Sequence, residues 1–179
     1  MKRALFSLFV ILGLSSGEAP AQSPLPSTHL KVGDKAPDLT LLDQHNTPVN
    51  LSDYRGKSHI ALFFFGHSFT AATARQLKAF MTDFLSFGST GTLLLGVGRD
   101  APPAHKKLAE ELGLRFPVLS DTTGEAAKLY GIFITKHQIP RRASFVIDKE
   151  GVIRYIEQGA TAAESTGALE ACFALFKKN

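Results

Sequence analysis

One cysteine, Cys172, is all that the 179 residues hold. No disulfide can therefore close within the chain, and no zinc site built on cysteines can form. Tryptophan is absent, and the aromatic content is 14 phenylalanines and 3 tyrosines. The phenylalanines fall at strand and helix spacings that mark most of them as core. Basic charge is not concentrated anywhere: 20 Lys+Arg stand against 16 Asp+Glu, a net charge of +4. Lys106-Lys107, Arg141-Arg142 and Lys177-Lys178 lie far apart, with acidic residues interspersed. Nucleic-acid binding needs basic residues gathered on one face, so that partner class is disfavoured. No His-x-x-x-His or comparable spacing points to a metal, and no cofactor is expected. What the chain does have is apolar content, 44% of it, enough for one sizeable core.

The first twenty-one residues read as a segment outside the fold. Lys2-Arg3 is a positive start, Ala4 to Leu14 an apolar run of eleven, and Ala19-Pro20-Ala21 a small-x-small cleavage pattern. Eleven residues are too few to span a bilayer, which takes ~20. No cysteine follows the run, so no lipoprotein anchor is expected, and once the segment is cleaved no stable membrane insertion is expected either. The expectation is a signal peptide over 1–21, a flexible leader over 22–30, and one domain over 31–179 of an exported protein, periplasmic or secreted.

Within the domain, Leu39–Leu42 and Val49–Leu51 flank a turn-like Asp43-Gln44-His45-Asn46. Ile60–Phe65 and Thr92–Val97 are continuous apolar runs, expected as strands buried on both faces. Leu77, Phe80, Met81 and Phe84 predict a helix between them that Gly88 stops. Pro102-Pro103 opens another helix, closed by Gly113. Thr122-x-x-Glu125 and Thr161-x-x-Glu164 are spaced as capping boxes for two further helices. The last carries Leu169, Cys172, Phe173 and Phe176 on one face. Ser144–Ile147 and Val152–Ile156 flank Asp148-Lys149-Glu150-Gly151 as a hairpin. This order implies an α/β, thioredoxin-like fold, a central mixed sheet with helices on both faces.

Several stretches resemble the peroxiredoxins, the alkyl hydroperoxide reductase / thiol-specific antioxidant family. Val32-Gly33-Asp34-Lys35-Ala36-Pro37-Asp38 is similar to the family's opening, and Leu51–Lys57 to the segment before the first central strand. Gly96–Asp100 with His105, Phe116–Asp121 with Leu129-Tyr130-Gly131, and Arg142–Asp148 continue the match in order, from Val32 to Gly159. The resemblance implies an antioxidant oxidoreductase lineage. It departs at the active-site motif Pro-x-x-x-Thr-x-x-Cys, which here reads Gly66-His67-Ser68-Phe69-Thr70-Ala71-Ala72-Thr73. Thr70 matches the motif threonine, Gly66 stands for the proline, Thr73 for the peroxidatic cysteine, and Arg142 for the active-site arginine.

The departure has a chemical consequence. A thiolate attacks the peroxide O–O bond and becomes a sulfenic acid that a thiol later reduces. An alcohol does not ionise usefully near neutral pH and has no such cycle, so thiol peroxidase chemistry at position 73 is excluded. A threonine nucleophile would need an adjacent base, for which His67 is the nearby candidate. Thr73 is also spaced with Gln76 as a capping box, and Thr70 could cap the same helix; the sequence does not choose. The expected remnant pocket comprises Gly66, His67, Thr70, Thr73 and Arg142, suited to a small anionic ligand or an unidentified protein partner, with homodimerisation through the family's oligomer surfaces as a further option. The rival is an oxidoreductase of altered chemistry using Cys172 or a thiol-independent centre. Cys172 itself is read as core. His67 and His137 come from loops that could converge, whereas His29, His45, His59 and His105 are assigned to surface or turn positions.

Overall fold

A computed structural model describes residues 27–177. The expected signal segment lies outside them. Thr40–Leu42 (β1) and Pro48–Asn50 (β2) form the first hairpin, and His59–Phe64 (β3) leads into Ala71–Thr82 (α1) and Phe84–Ser89 (α2). Thr92–Gly98 (β4), Pro102–Leu112 (α3), Val118–Ser120 (β5) and Glu125–Leu129 (α4) follow. The small hairpin Phe133–Ile134 (β6) and Ile139–Pro140 (β7) precedes Ala143–Ile147 (β8), Ile153–Gln158 (β9) and Thr166–Phe176 (α5). Seven strands form one sheet in the order β2-β1-β5-β4-β3-β8-β9. β3 pairs in parallel with β4, and β4 with β5, while β8 runs antiparallel to β3 and to β9. That is the mixed α/β sheet the sequence implied.

Strand β3 is buried along its whole length because both faces are covered. Its alternation divides the core in two. Ile60, Leu62 and Phe64 join Leu95, Val97, Phe145 and Tyr130 on one side. Ala61, Phe63 and Phe65 join Leu77, Phe80, Phe87, Leu108 and Cys172 on the other. Phe63 stacks on Phe80 at 3.9 Å between ring centroids, which fixes α1 over the sheet. Gly113, at φ +63, ends α3 as its left-handed cap. At the other end of the domain, Thr28 N–H donates to Gln158 Oε1 at 3.0 Å and Leu30 packs against the core, so the last residues of the expected leader are held to the fold.

Several local expectations are corrected. The helix after β3 breaks at Asp83, whose carboxylate accepts a bond from Ser165 Oγ at 2.6 Å, and Gly88 lies inside the second piece rather than ending the first. Neither downstream capping box forms. Asp121 caps α4 instead, accepting from Ala126 N–H and Ala127 N–H through its two oxygens. Thr161–Ala163 is a single 3-10 turn, and α5 begins at Thr166. On α5 only part of the expected stripe is inward: Cys172 and Ala168 are buried, whereas Phe173 and Phe176 are exposed. The short strands β5, β6 and β7 carried no periodic signal long enough to read.

His59 and His105 are buried, not on the surface. His59 opens β3, where the helix-covered sheet leaves no solvent-facing side. His105 points from α3 toward β4, its Nδ1 2.9 Å from Ser120 Oγ and its ring edge-on to Phe65. Burial lowers its pKa from 6.5 to about 4, against a weaker opposing pull from Asp100. The unfolded chain thus binds a proton below 6.5 that the native state refuses, and stability falls as pH drops through that window. Denaturant titrations should show a loss on the order of 3 kcal/mol between pH ~6.5 and ~4. His59, shifted the same way by burial, adds to it. His105→Gln should remove most of the slope; an unchanged slope would place the titration elsewhere.

Candidate functional site

The site is built where β3 runs out. Phe65 N–H still donates to Val97 O at 3.0 Å, and the chain then leaves the sheet through Gly66–Thr70. Ser68 N–H donates to Asp100 Oδ2 at 3.0 Å, tying this loop to the end of β4. Burial would raise the Asp100 carboxyl, but the bonds from Ser68 and the nearby His105 and His67 outweigh it and hold the group below its usual range.

Thr70 is the N-cap of α1. Its extended backbone (φ −119, ψ 148) lets Oγ1 accept from Thr73 N–H at 3.1 Å. This settles which of the two threonines caps. Gln76 does not complete a capping box with Thr73. Fully buried one turn further on, its Nε2 donates to Phe64 O at 3.3 Å and Ala162 O at 2.9 Å. Its Oε1 accepts from Arg142 Nε at 3.1 Å. Gln76 thereby joins α1, the end of β3, the turn after β9 and the arginine that precedes β8.

Gly66, His67, Thr70, Arg141 and Arg142 line an open cavity of about 400 Å³, together with Ile134, Ile139, Pro140, Gly159 and Ala160. Four of the five expected site residues therefore share it. The fifth does not: Thr73 is fully buried, and its Oγ1 lies 3.1 Å from Thr70 Oγ1, behind the cavity wall. Its partner is a hydroxyl rather than the His67 imidazole, so no base activates it. Arg142 is half-buried, and beyond its bond to Gln76 its guanidinium has no acceptor among the described residues.

His137 is exposed on the turn of the β6–β7 hairpin. Among the described residues, no group of three or more His, Cys, Asp or Glu could hold a metal ion. Cys172 faces the helix-covered core, and burial pushes its thiol up to about 11 in spite of a bond with Thr92. A thiol so protonated and enclosed is inert.

Sequence reasoning missed Gln76, Asp100 and the apolar wall of the cavity. For Gln76 a signal existed. It stands beside Leu77 and one turn before Phe80 on the inward face of the helix, where a polar residue needs buried partners. The wall comes from a hairpin whose strands have two residues each, too short to read.

Comparisons with known proteins agree with this fold. The model of the AhpC/TSA family matches residues 32–156. Alkyl hydroperoxide reductase E of Mycobacterium tuberculosis is 36% identical over 130 residues, covering 72% of this chain and 85% of that protein. The chloroplastic 2-Cys peroxiredoxin BAS1 of Hordeum vulgare is 37% identical over 134 residues, covering 69% and 64%. The crystal structure of the peroxidoxin BcpB from Mycobacterium tuberculosis superposes with a TM-score of 0.76 at 26% identity, over 82% of this chain and 99% of that one. A family model matched over residues 32–156, a relative 36% identical along 72% of the chain and the shared fold place the protein in the AhpC/TSA family, as a peroxiredoxin-like chain of thioredoxin fold.

Proposed function

We propose that this protein is an exported member of its family that has lost thiol-dependent peroxide reduction and binds a small anion in the cavity beside α1. The supporting observation is Arg142. Its guanidinium is fixed through Nε by Gln76, lines the cavity, and keeps its other N–H groups without an acceptor among the described residues. Thr70 supplies a hydroxyl on the same cavity, at the positive end of a twelve-residue helix. Charge-assisted bonds from a held arginine are among the stronger recognition elements for carboxylates and oxyanions.

Loss of the peroxidase follows from position 73, which the family resemblance aligns with the peroxidatic cysteine. A threonine stands there, and the chain's one thiol lies in the core. That burial also weighs against the rival oxidoreductase reading through Cys172. Export rests on Lys2-Arg3, the apolar run to Leu14 and the Ala19-Pro20-Ala21 pattern. Homodimerisation through the family's oligomer surfaces belongs to the same proposal.

An anion that binds only the folded state raises its melting temperature, by the equivalent of ~2.7 kcal/mol at a hundred times Kd. Formate or acetate at increasing concentration should raise the melting temperature of the wild type and leave that of Arg142→Gln on a flat line. Parallel curves for the two proteins would reduce the effect to general salt and sink the binding reading.

A further inference from the structure

We infer that the occupant of the Arg142 cavity is a small organic carboxylate with an apolar body, an inference that rests on the anion-binding reading above and specifies it. The cavity has two unlike walls. One is polar, with Arg141, Arg142, Thr70 and His67; the other is apolar, with Ile134, Ile139 and Pro140 from the β6–β7 hairpin. Gly66 belongs to this arrangement. A Cβ at that position would lie 3.8 Å from Ile139 Cδ1, so the glycine leaves the isoleucine methyl uncovered toward the cavity.

An inorganic anion would use the first wall alone. Chloride or phosphate at Arg142 leaves the isoleucines facing water, with nothing gained from them. A carboxylate carrying a short chain or ring uses both: its oxygens take the unclaimed N–H groups of Arg142 and its body covers Ile134 and Ile139. Each buried methylene contributes about fourfold in affinity. The volume, about 400 Å³, is within the ordinary range for small-molecule sites and far below what a folded partner's surface needs.

The test is calorimetric titration of the purified protein with acetate, butanoate and hexanoate, beside benzoate, hexanamide and inorganic phosphate. The expected affinity rises along the fatty acids by at least tenfold from acetate to hexanoate. Benzoate should exceed acetate, and both hexanamide and phosphate should bind at least tenfold more weakly than hexanoate. In Ile139→Ser the ratio of hexanoate to acetate should shrink toward one. The wild-type series decides the matter even if that variant folds poorly. Equal affinities for acetate and hexanoate would overturn the apolar-body inference and leave anion binding standing. Tightest binding of phosphate would overturn it in favour of an inorganic oxyanion, and hexanamide matching hexanoate would overturn the role of charge. Absence of binding by every anion would overturn this inference and the reading beneath it together.

Discussion

Wild-type protein should consume no hydrogen peroxide above the buffer rate in the presence of a thiol reductant, and Thr73→Cys should consume it at least tenfold faster than wild type. The expectation follows from where position 73 stands. It is the third residue of α1, its N–H is held by Thr70 Oγ1, and its side chain lies 3.1 Å from that hydroxyl. A sulfur there would be placed at the positive end of a helix, one turn from the Gln76 that carries Arg142. Both features favour thiolate over thiol. The substitution removes a methyl group and exchanges the hydroxyl for a larger thiol, so side-chain volume does not rise overall and the buried site accepts it without overpacking. The thiolate would attack one peroxide oxygen and break the O–O bond, becoming a sulfenic acid as hydroxide leaves and takes up the proton the thiol had given to solvent; two equivalents of the thiol reductant then restore the thiol, becoming a disulfide and releasing a second water. Activity in the wild type would overturn the proposed loss of function and point to a centre other than position 73. Silence in both would mean that Thr70 seals the position from the cavity and that the loop has diverged beyond its nucleophile.

The same stretch shows how much the sequence could disclose. The buried runs Ile60–Phe65 and Thr92–Val97 announced the central strands because a strand covered on both faces has no polar alternation to hide it. Thr70 and Arg142 were legible through collinear family motifs, and the structure places both on one cavity. Capping spacing was less informative. Three stretches had the pattern of a capping box, and at none of them does the pair cap reciprocally: Thr70 caps α1 where the sequence left Thr70 and Thr73 open, and Asp121 and a 3-10 turn stand where Thr122 and Thr161 were expected to act. Such a spacing records only that the two residue types are present, whereas the cap depends on which residue leaves the helix in extended backbone. His105 was unreadable for a related reason. A histidine on an amphipathic helix is assigned by the helix face, and that face is fixed only when Phe65 and Ser120 close around it. The cavity's apolar wall was out of reach, being made by a hairpin that its neighbours, not its own periodicity, hold in place.

Gln76→Leu should be the most damaging single substitution near the site, lowering stability by about 2–4 kcal/mol. At this size that corresponds to a fall in melting temperature of roughly 5–15 °C. Leucine keeps the volume and removes the amide. Phe64 O and Ala162 O each lose a buried donor, and Arg142 Nε loses its acceptor. A buried polar group left without a partner costs more than the bond was worth, because the water it gave up on folding is not returned. The effect should also reach the cavity. With Nε released, Arg142 is no longer held at the wall, and acetate affinity should fall by about tenfold, a factor that one displaced charge-assisted bond accounts for. A double-mutant cycle with Arg142→Leu separates the two roles. If Gln76 acts on the anion only through Arg142, then in the Arg142→Leu background Gln76→Leu still lowers stability and no longer changes anion binding. A stability change within ±0.5 kcal/mol, the ordinary range for a surface substitution, would show that these carbonyls find other donors and that the arginine is held by something else. Coupled losses would identify one buried amide as the element through which the helix, the sheet and the cavity share a single arrangement.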